Sequence, residues 1–90
     1  MRTPDFTAQF KRDFKKAESR GKDMTKLEEI MGLLLVEAPL PQRSKDHALK
    51  GVWRHYRELH IEPDWLLIYK ISEDVVLFSR TGTHADLFSM

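Results

Sequence analysis

His47, His60 and His84 are three of the four histidines in the chain, and Asp64 and Arg80 stand close in sequence to two of them. Histidine gives or takes a proton near neutral pH, and arginine stabilises the extra negative charge of a pentavalent phosphorane. Brought to one place, these five side chains suit cleavage of an RNA phosphodiester. The substrate's own 2′-hydroxyl is then the nucleophile, and neither a covalent residue nor a metal is required. Taken singly, each histidine reads more simply as an ordinary surface or core residue, and His55 is read that way; only convergence raises the other three. The same residues could hold a metal, but neither a His-x-His nor a His-Glu-x-x-His spacing is present.

The elements that must bring them together are strands. Glu62-Pro63-Asp64 and Ser72-Glu73-Asp74 read as turns that divide Val52–Ile61, Trp65–Ile71 and Val75–Thr81. Three-residue turns would pair Ile61 with Trp65, His60 with Leu66, Leu66 with Arg80 and Ile71 with Val75. One face then carries Leu59, Ile61, Trp65, Leu67, Tyr69, Ile71, Val75 and Leu77, and is the only face apolar enough to receive helices. The other carries Tyr56, Glu58, His60, Lys70 and Arg80 among a few apolar residues, while the nearly continuous apolar run Trp65–Tyr69 has the character of a strand covered on both faces. Asp64 sits in the turn beside His60, Thr83-His84 return to the same end, and His47 reaches it from a loop over residues 39–51. A one-residue slip in either turn reverses the faces.

Upstream, residues 2–6 suit an edge strand. Thr7 is a candidate N-cap for a helix to about Arg20, with Phe10, Phe14 and Ala17 on one side and Lys11, Arg12, Lys15 and Lys16 opposite. Gly21 suits a helix stop. Asp23, or a Thr25/Glu28 capping box, starts a second helix whose apolar stripe runs from Met24 to Leu35 and which Pro39 and Pro41 end. The expected order is β-α-α-β-β-β plus a short tail. That is an α+β domain over residues 1–90, with an N-terminal helical hairpin packed on a mostly antiparallel β-sheet.

Composition narrows the partners. The net charge of +1 conceals an asymmetry. Residues 1–26 hold eight Lys/Arg against four Asp/Glu, and residues 27–90 seven against ten. The basic N-terminal quarter is either a solvated helix face or a contact for nucleic acid or an acidic partner. The chain has no cysteine, which fits a reducing compartment, and neither a signal peptide nor a membrane span is expected.

Three stretches resemble the YafQ branch of the RelE/ParE toxin superfamily: Lys45–Gly51, Tyr56–Lys70 with its His-x-Glu-Pro-Asp-Trp string, and Arg80–Phe88 with its Arg-Thr-Gly-Thr-His string. The resemblance covers nearly the whole chain and implies a RelE-like fold. It also implies a toxin of a type II toxin–antitoxin system that enters the ribosomal A site and cuts mRNA there, without a cofactor or metal. By the same resemblance, His47, His60, Asp64, Arg80 and His84 form the active site, with Trp65 and Phe88 as supporting substrate contacts. His84 is then the general acid, Asp64 or His60 assists deprotonation of the 2′-hydroxyl, Arg80 holds the phosphate, and the proton roles are exchangeable. The implied partner is a cognate antitoxin, typically of the ribbon-helix-helix kind, through which alone the complex touches DNA. Lys11, Arg12, Lys15, Lys16, Arg20 and Lys22 become candidate grips on ribosomal RNA. The alternative is a catalytically silent member of the fold that only binds a partner or nucleic acid.

Overall fold

The computed structural model describes residues 1–88. The chain runs β1 (Thr3–Phe6), α1 (Ala8–Ser19), α2 (Met24–Leu35), β2 (His47–Ala48), β3 (Arg57–Glu62), β4 (Trp65–Ser72), β5 (Val75–Gly82) and α3 (His84–Phe88). The strands form one sheet in the order β1-β5-β4-β3-β2, antiparallel except for β1, which runs parallel to β5. This is the expected α+β architecture. No helix among the described residues is long and apolar enough to cross a membrane.

The helix boundaries follow local chemistry. Thr7 accepts from the Phe10 amide, and Asp23, rather than Thr25, caps α2 by accepting from the Thr25 amide. Gly21 takes a left-handed backbone (φ 79°) just past α1, and its amide closes the helix on the Glu18 carbonyl. Phe10, Ala17, Leu27, Ile30 and Leu34 lie against Leu59, Trp65, Leu67, Tyr69, Val76 and Phe78, the main core.

Four sequence expectations are corrected. First, the run at Val52–Ile61 becomes strand only from Arg57; residues 51–53 form a 3-10 turn, and Trp53 meets the Tyr56 ring edge-on at 5.1 Å. The 39–51 loop likewise holds a 3-10 turn at Gln42–Ser44 and the two-residue β2, and His84–Phe88 of the tail form α3.

Second, the turns contain two residues each, Pro63-Asp64 and Glu73-Asp74. His60 does pair with Leu66, but a bulge at Ile61 leaves Glu62 opposite Trp65. Third, Ile71 pairs with Val76 and Leu66 with Gly82, so Val76 and Phe78 enter the core in place of Val75 and Leu77. A bulge at Ser79 then restores the phase, and Arg80 lands opposite Ile68, still on the face that carries His60. Fourth, that face is not bare. Leu66, Ile68 and Leu87 form a second, smaller core with Leu49, Trp53, Tyr56 and Phe88 packed around it.

Candidate active site

Strand register lays out the second face in rows. His47 is opposite Glu58, Glu58 opposite Ile68, and Ile68 opposite Arg80; the next row runs from His60 through Leu66 to Gly82. His84 follows Gly82 by two residues and comes back over the end of the sheet. One polar atom each from Glu58, His60 and His84 lies within 4.8 Å of the others. The His60 and His84 ring centroids are 5.9 Å apart.

His84 is held from two directions. Its Nδ1–H donates to Asp64 Oδ1 at 2.6 Å, and its backbone amide donates to the same oxygen at 3.0 Å. A carboxylate can only accept, so the ring hydrogen sits on Nδ1 and Nε2 is left for other work. The His84 amide first, and then its ring, hold the Asp64 carboxyl below its ordinary range.

His84 also begins α3, whose first turn is closed reciprocally. The Thr83 amide donates to Asp86 Oδ2 at 3.0 Å, and the Asp86 amide to Thr83 Oγ1 at 3.1 Å. Arg20, which caps the C-terminal end of α1, grips the same Asp86 carboxylate at 2.6 Å and 3.3 Å. The Arg20 guanidinium is the main reason that the Asp86 carboxyl lies far below the usual carboxylate range.

His60 presents a different environment. Its Nδ1 is buried and has no hydrogen-bond partner. An unpaired buried ring nitrogen costs free energy, and this one belongs to a residue that stands beside a carboxylate and a second imidazole. His47 Nδ1–H donates to the Lys45 carbonyl at 2.9 Å, and its Nε2 stands 3.8 Å from Glu58 Oε1.

Arg80 is pinned at the sheet edge. β1 ends at Phe6, so β5 beyond Phe78 has a free edge. The buried carboxylate of Asp13 closes part of it, accepting from the Thr81 amide at 3.2 Å and from Arg80 Nε at 2.7 Å. Arg80 Nη2 adds a third bond at 3.3 Å. Pairing with Arg80 and the amide is what makes burial of Asp13 tolerable.

Several expected site residues are placed elsewhere. Trp65 is only 1% exposed, and its indole N–H donates to the buried Thr81 Oγ1 at 3.0 Å. It belongs to the core and has no ring face free for a base. Phe88 packs beside Leu66 and Ile68 in the second core. Lys11, Arg12 and Lys15 are exposed along α1, whereas Lys16 and Arg20 are drawn to Asp86 and Lys22 to Glu62.

Glu58 and Asp13 were not among the expected site residues. Both carry a sequence signal: Glu58 is two residues before His60 and so shares its face, and Asp13 interrupts the apolar stripe of α1 between Phe10 and Ala17. Glu58, His60 and His84 are also the described residues that could together hold a metal ion.

Comparison with known proteins agrees with this fold. The family model described as the bacterial toxin of a type II toxin-antitoxin system, YafQ, matches residues 2–89. The mRNA interferase toxin YafQ of Escherichia coli (strain K12) is 49% identical over 89 residues, 98% of this chain and 97% of that protein. The E. coli DinJ-YafQ complex contains a chain with TM-score 0.91 and 48% identity, covering 98% of this chain and 99% of that one. A metal-bound toxin from Helicobacter pylori superposes with TM-score 0.92 at 38% identity, covering 98% of this chain and 100% of that one. The fold is therefore that of a toxin from a type II toxin–antitoxin system. Within that class, the chain belongs to the YafQ family.

Proposed function

We propose that the protein is a ribosome-dependent endoribonuclease that cuts mRNA in the A site by attack of the 2′-hydroxyl. The observation that carries this reading is the Asp64–His84 pair standing beside His60 and Glu58. Asp64 fixes the tautomer and orientation of His84, which protonates the departing 5′-oxygen. Since Asp64 is occupied by His84, the base role falls to His60, which takes the 2′-hydroxyl proton as the 2′-oxygen bonds to phosphorus. The P–O5′ bond breaks, leaving a 2′,3′-cyclic phosphate and a 5′-hydroxyl. Arg80, held by Asp13 through Nε and Nη2, keeps Nη1 for a non-bridging phosphate oxygen. Glu58 and His47 set the field and the hydrogen bonding around His60.

This chemistry uses the imidazole nitrogens to carry protons. A cation held by Glu58, His60 and His84 would take those lone pairs, so metal occupancy and proton transfer exclude each other there. The reading is accordingly metal-independent. The exposed Lys11, Arg12 and Lys15 grip ribosomal RNA through phosphates. In the cytoplasm the toxin is held silent by a cognate antitoxin of the ribbon-helix-helix kind, which carries any DNA contact of the complex. The DinJ-YafQ complex of the E. coli relative supports such a partner.

The experiment is cleavage of a defined mRNA on programmed ribosomes, with the termini of both fragments identified. A cyclic phosphate or its hydrolysed 3′-phosphate, a 5′-hydroxyl, and no cutting of mRNA that is 2′-deoxy at the site are expected. A 5′-phosphate product, or cutting of the 2′-deoxy substrate, contradicts the mechanism.

A further inference from the structure

A groove of about 270 Å³ opens beside His60, lined by Arg43, Lys45, Ile61, Glu62 and Pro63. A second space of about 240 Å³ shares Arg43, His60 and Ile61 with it and is lined further by Glu29, Ile30, Leu33 and Pro41. The two meet at His60 as one trough of mixed lining, in which Ile30, Leu33, Pro41 and Ile61 are apolar, Arg43 and Lys45 cationic, and Glu29 and Glu62 acidic.

The two cationic charges are free. Among the described residues, neither Arg43 nor Lys45 takes part in an ion pair. Lys26, also at the trough, is by contrast bonded to Glu62 at 2.9 Å. The two free cations are carried by a fixed support. Ser44 between them is 1% exposed, and Lys45 adopts a left-handed backbone (φ 49°). Asp46 just after them is clamped by Arg57 at 2.7 and 3.0 Å and by the Tyr69 hydroxyl. Two unneutralised cations on a rigid turn, beside apolar residues that lead to a catalytic histidine, match the chemistry of one nucleotide: phosphate on the cations and base on the apolar residues.

We propose that Arg43 and Lys45 form a subsite for the nucleotide next to the scissile phosphate, holding its backbone phosphate while its base lies against Ile30, Leu33, Pro41 and Ile61. This rests on the endoribonuclease reading for its placement relative to the cut. A carboxylate-rich antitoxin segment would meet the same cations but has no use for the apolar lining beside His60.

The test is NMR titration of the free toxin with a uniformly 2′-O-methylated RNA hexanucleotide, which cannot be cut. Shifts at Arg43, Lys45 and His60 are expected. The variant carrying Arg43→Gln and Lys45→Gln should bind roughly tenfold more weakly, with a log–log salt slope shallower by about 0.7, since one single-strand phosphate contact is lost. Both side chains are exposed, so the rest of the amide spectrum should match the wild type and report an intact fold. The variant Arg43→Lys with Lys45→Arg keeps both charges and should retain most of the affinity. Unchanged affinity and slope in the Gln variant overturns the subsite. So do shifts that bypass these residues, an absence of any shift, or a Gln variant that loses antitoxin affinity while keeping RNA affinity. A wild type that binds the hexanucleotide in the trough yet cuts no ribosome-bound mRNA leaves the subsite standing and removes the cleavage reading.

Discussion

Replacing Asp86 with alanine should destabilise the fold in a way that depends on pH. Asp86 closes the first turn of α3 by accepting from the Thr83 amide, and it receives Arg20 from the C-terminal end of α1. Loss of a helix-terminal carboxylate cap costs about 1 kcal/mol. The Arg20 pair lies open to water and adds little to that. For a domain of this size about 1 kcal/mol lowers Tm by roughly 4–8 °C. Since the folded state depresses the Asp86 carboxyl below its ordinary 3.8, its contribution is complete above that value and is lost as the pH falls through the depressed range. The gap between wild type and Asp86→Ala should therefore be constant from pH 7 to 5 and narrow progressively below about pH 4. Melting curves across that range, followed by circular dichroism, measure it. A gap that stays constant down to pH 2, or no gap at pH 7, refutes the reasoning. Because α3 begins at His84, cleavage should fall as well, and Arg20→Gln should reproduce part of both effects.

The remaining expectations follow from the same geometry. Changing Lys11, Arg12 and Lys15 together to Gln should weaken ribosome association and flatten its salt dependence by about 0.7–0.9 per lost phosphate contact, with little change in Tm; binding that is unaltered at every salt concentration makes the face merely solvated. Cleavage should survive a chelator that leaves ribosomes intact, once their Mg²⁺ is restored, and a stoichiometric transition metal essential for activity sinks the metal-independent reading. Trp65→Phe strips the indole donor from buried Thr81 and opens space beside it, which should cost about 1–3 kcal/mol in urea unfolding; wild-type stability would show that the bond contributes nothing.

The parts of the fold that local chemistry determines were legible. Thr7, Gly21 and Asp23 punctuate the helices, and the nearly continuous apolar run Trp65–Tyr69 announces a central strand covered on both faces. Register was not legible, because it depends on turn length and bulges that the apolar pattern hardly distinguishes. The two-residue turn at Glu73-Asp74 shifts β5 by one residue, and the bulge at Ser79 shifts it back. Arg80 thus reached the expected face through compensating irregularities, while Val75 and Leu77 did not.

The histidine cluster was legible through residue type and resemblance. What orients it was not, since Asp13–Arg80 and Arg20–Asp86 link residues 67 and 66 positions apart in the chain. Arg20 and Lys16 looked like free surface cations for the same reason, their acidic partner being far along the sequence. Strand alternation had already put Glu58 on the face of His60, but only the tertiary return of His84 makes it part of the cluster.

The most direct measurement of the central claim is single-turnover cleavage of A-site mRNA by wild type and His84→Ala at saturating toxin. His84 is exposed, so alanine opens no cavity, and melting curves and antitoxin titration should match the wild type. Loss of a general acid should slow cleavage by about 10²–10⁴. A variant that cuts at the wild-type rate, or that loses activity only because it unfolds, contradicts the assignment of His84 as the group that protonates the leaving oxygen.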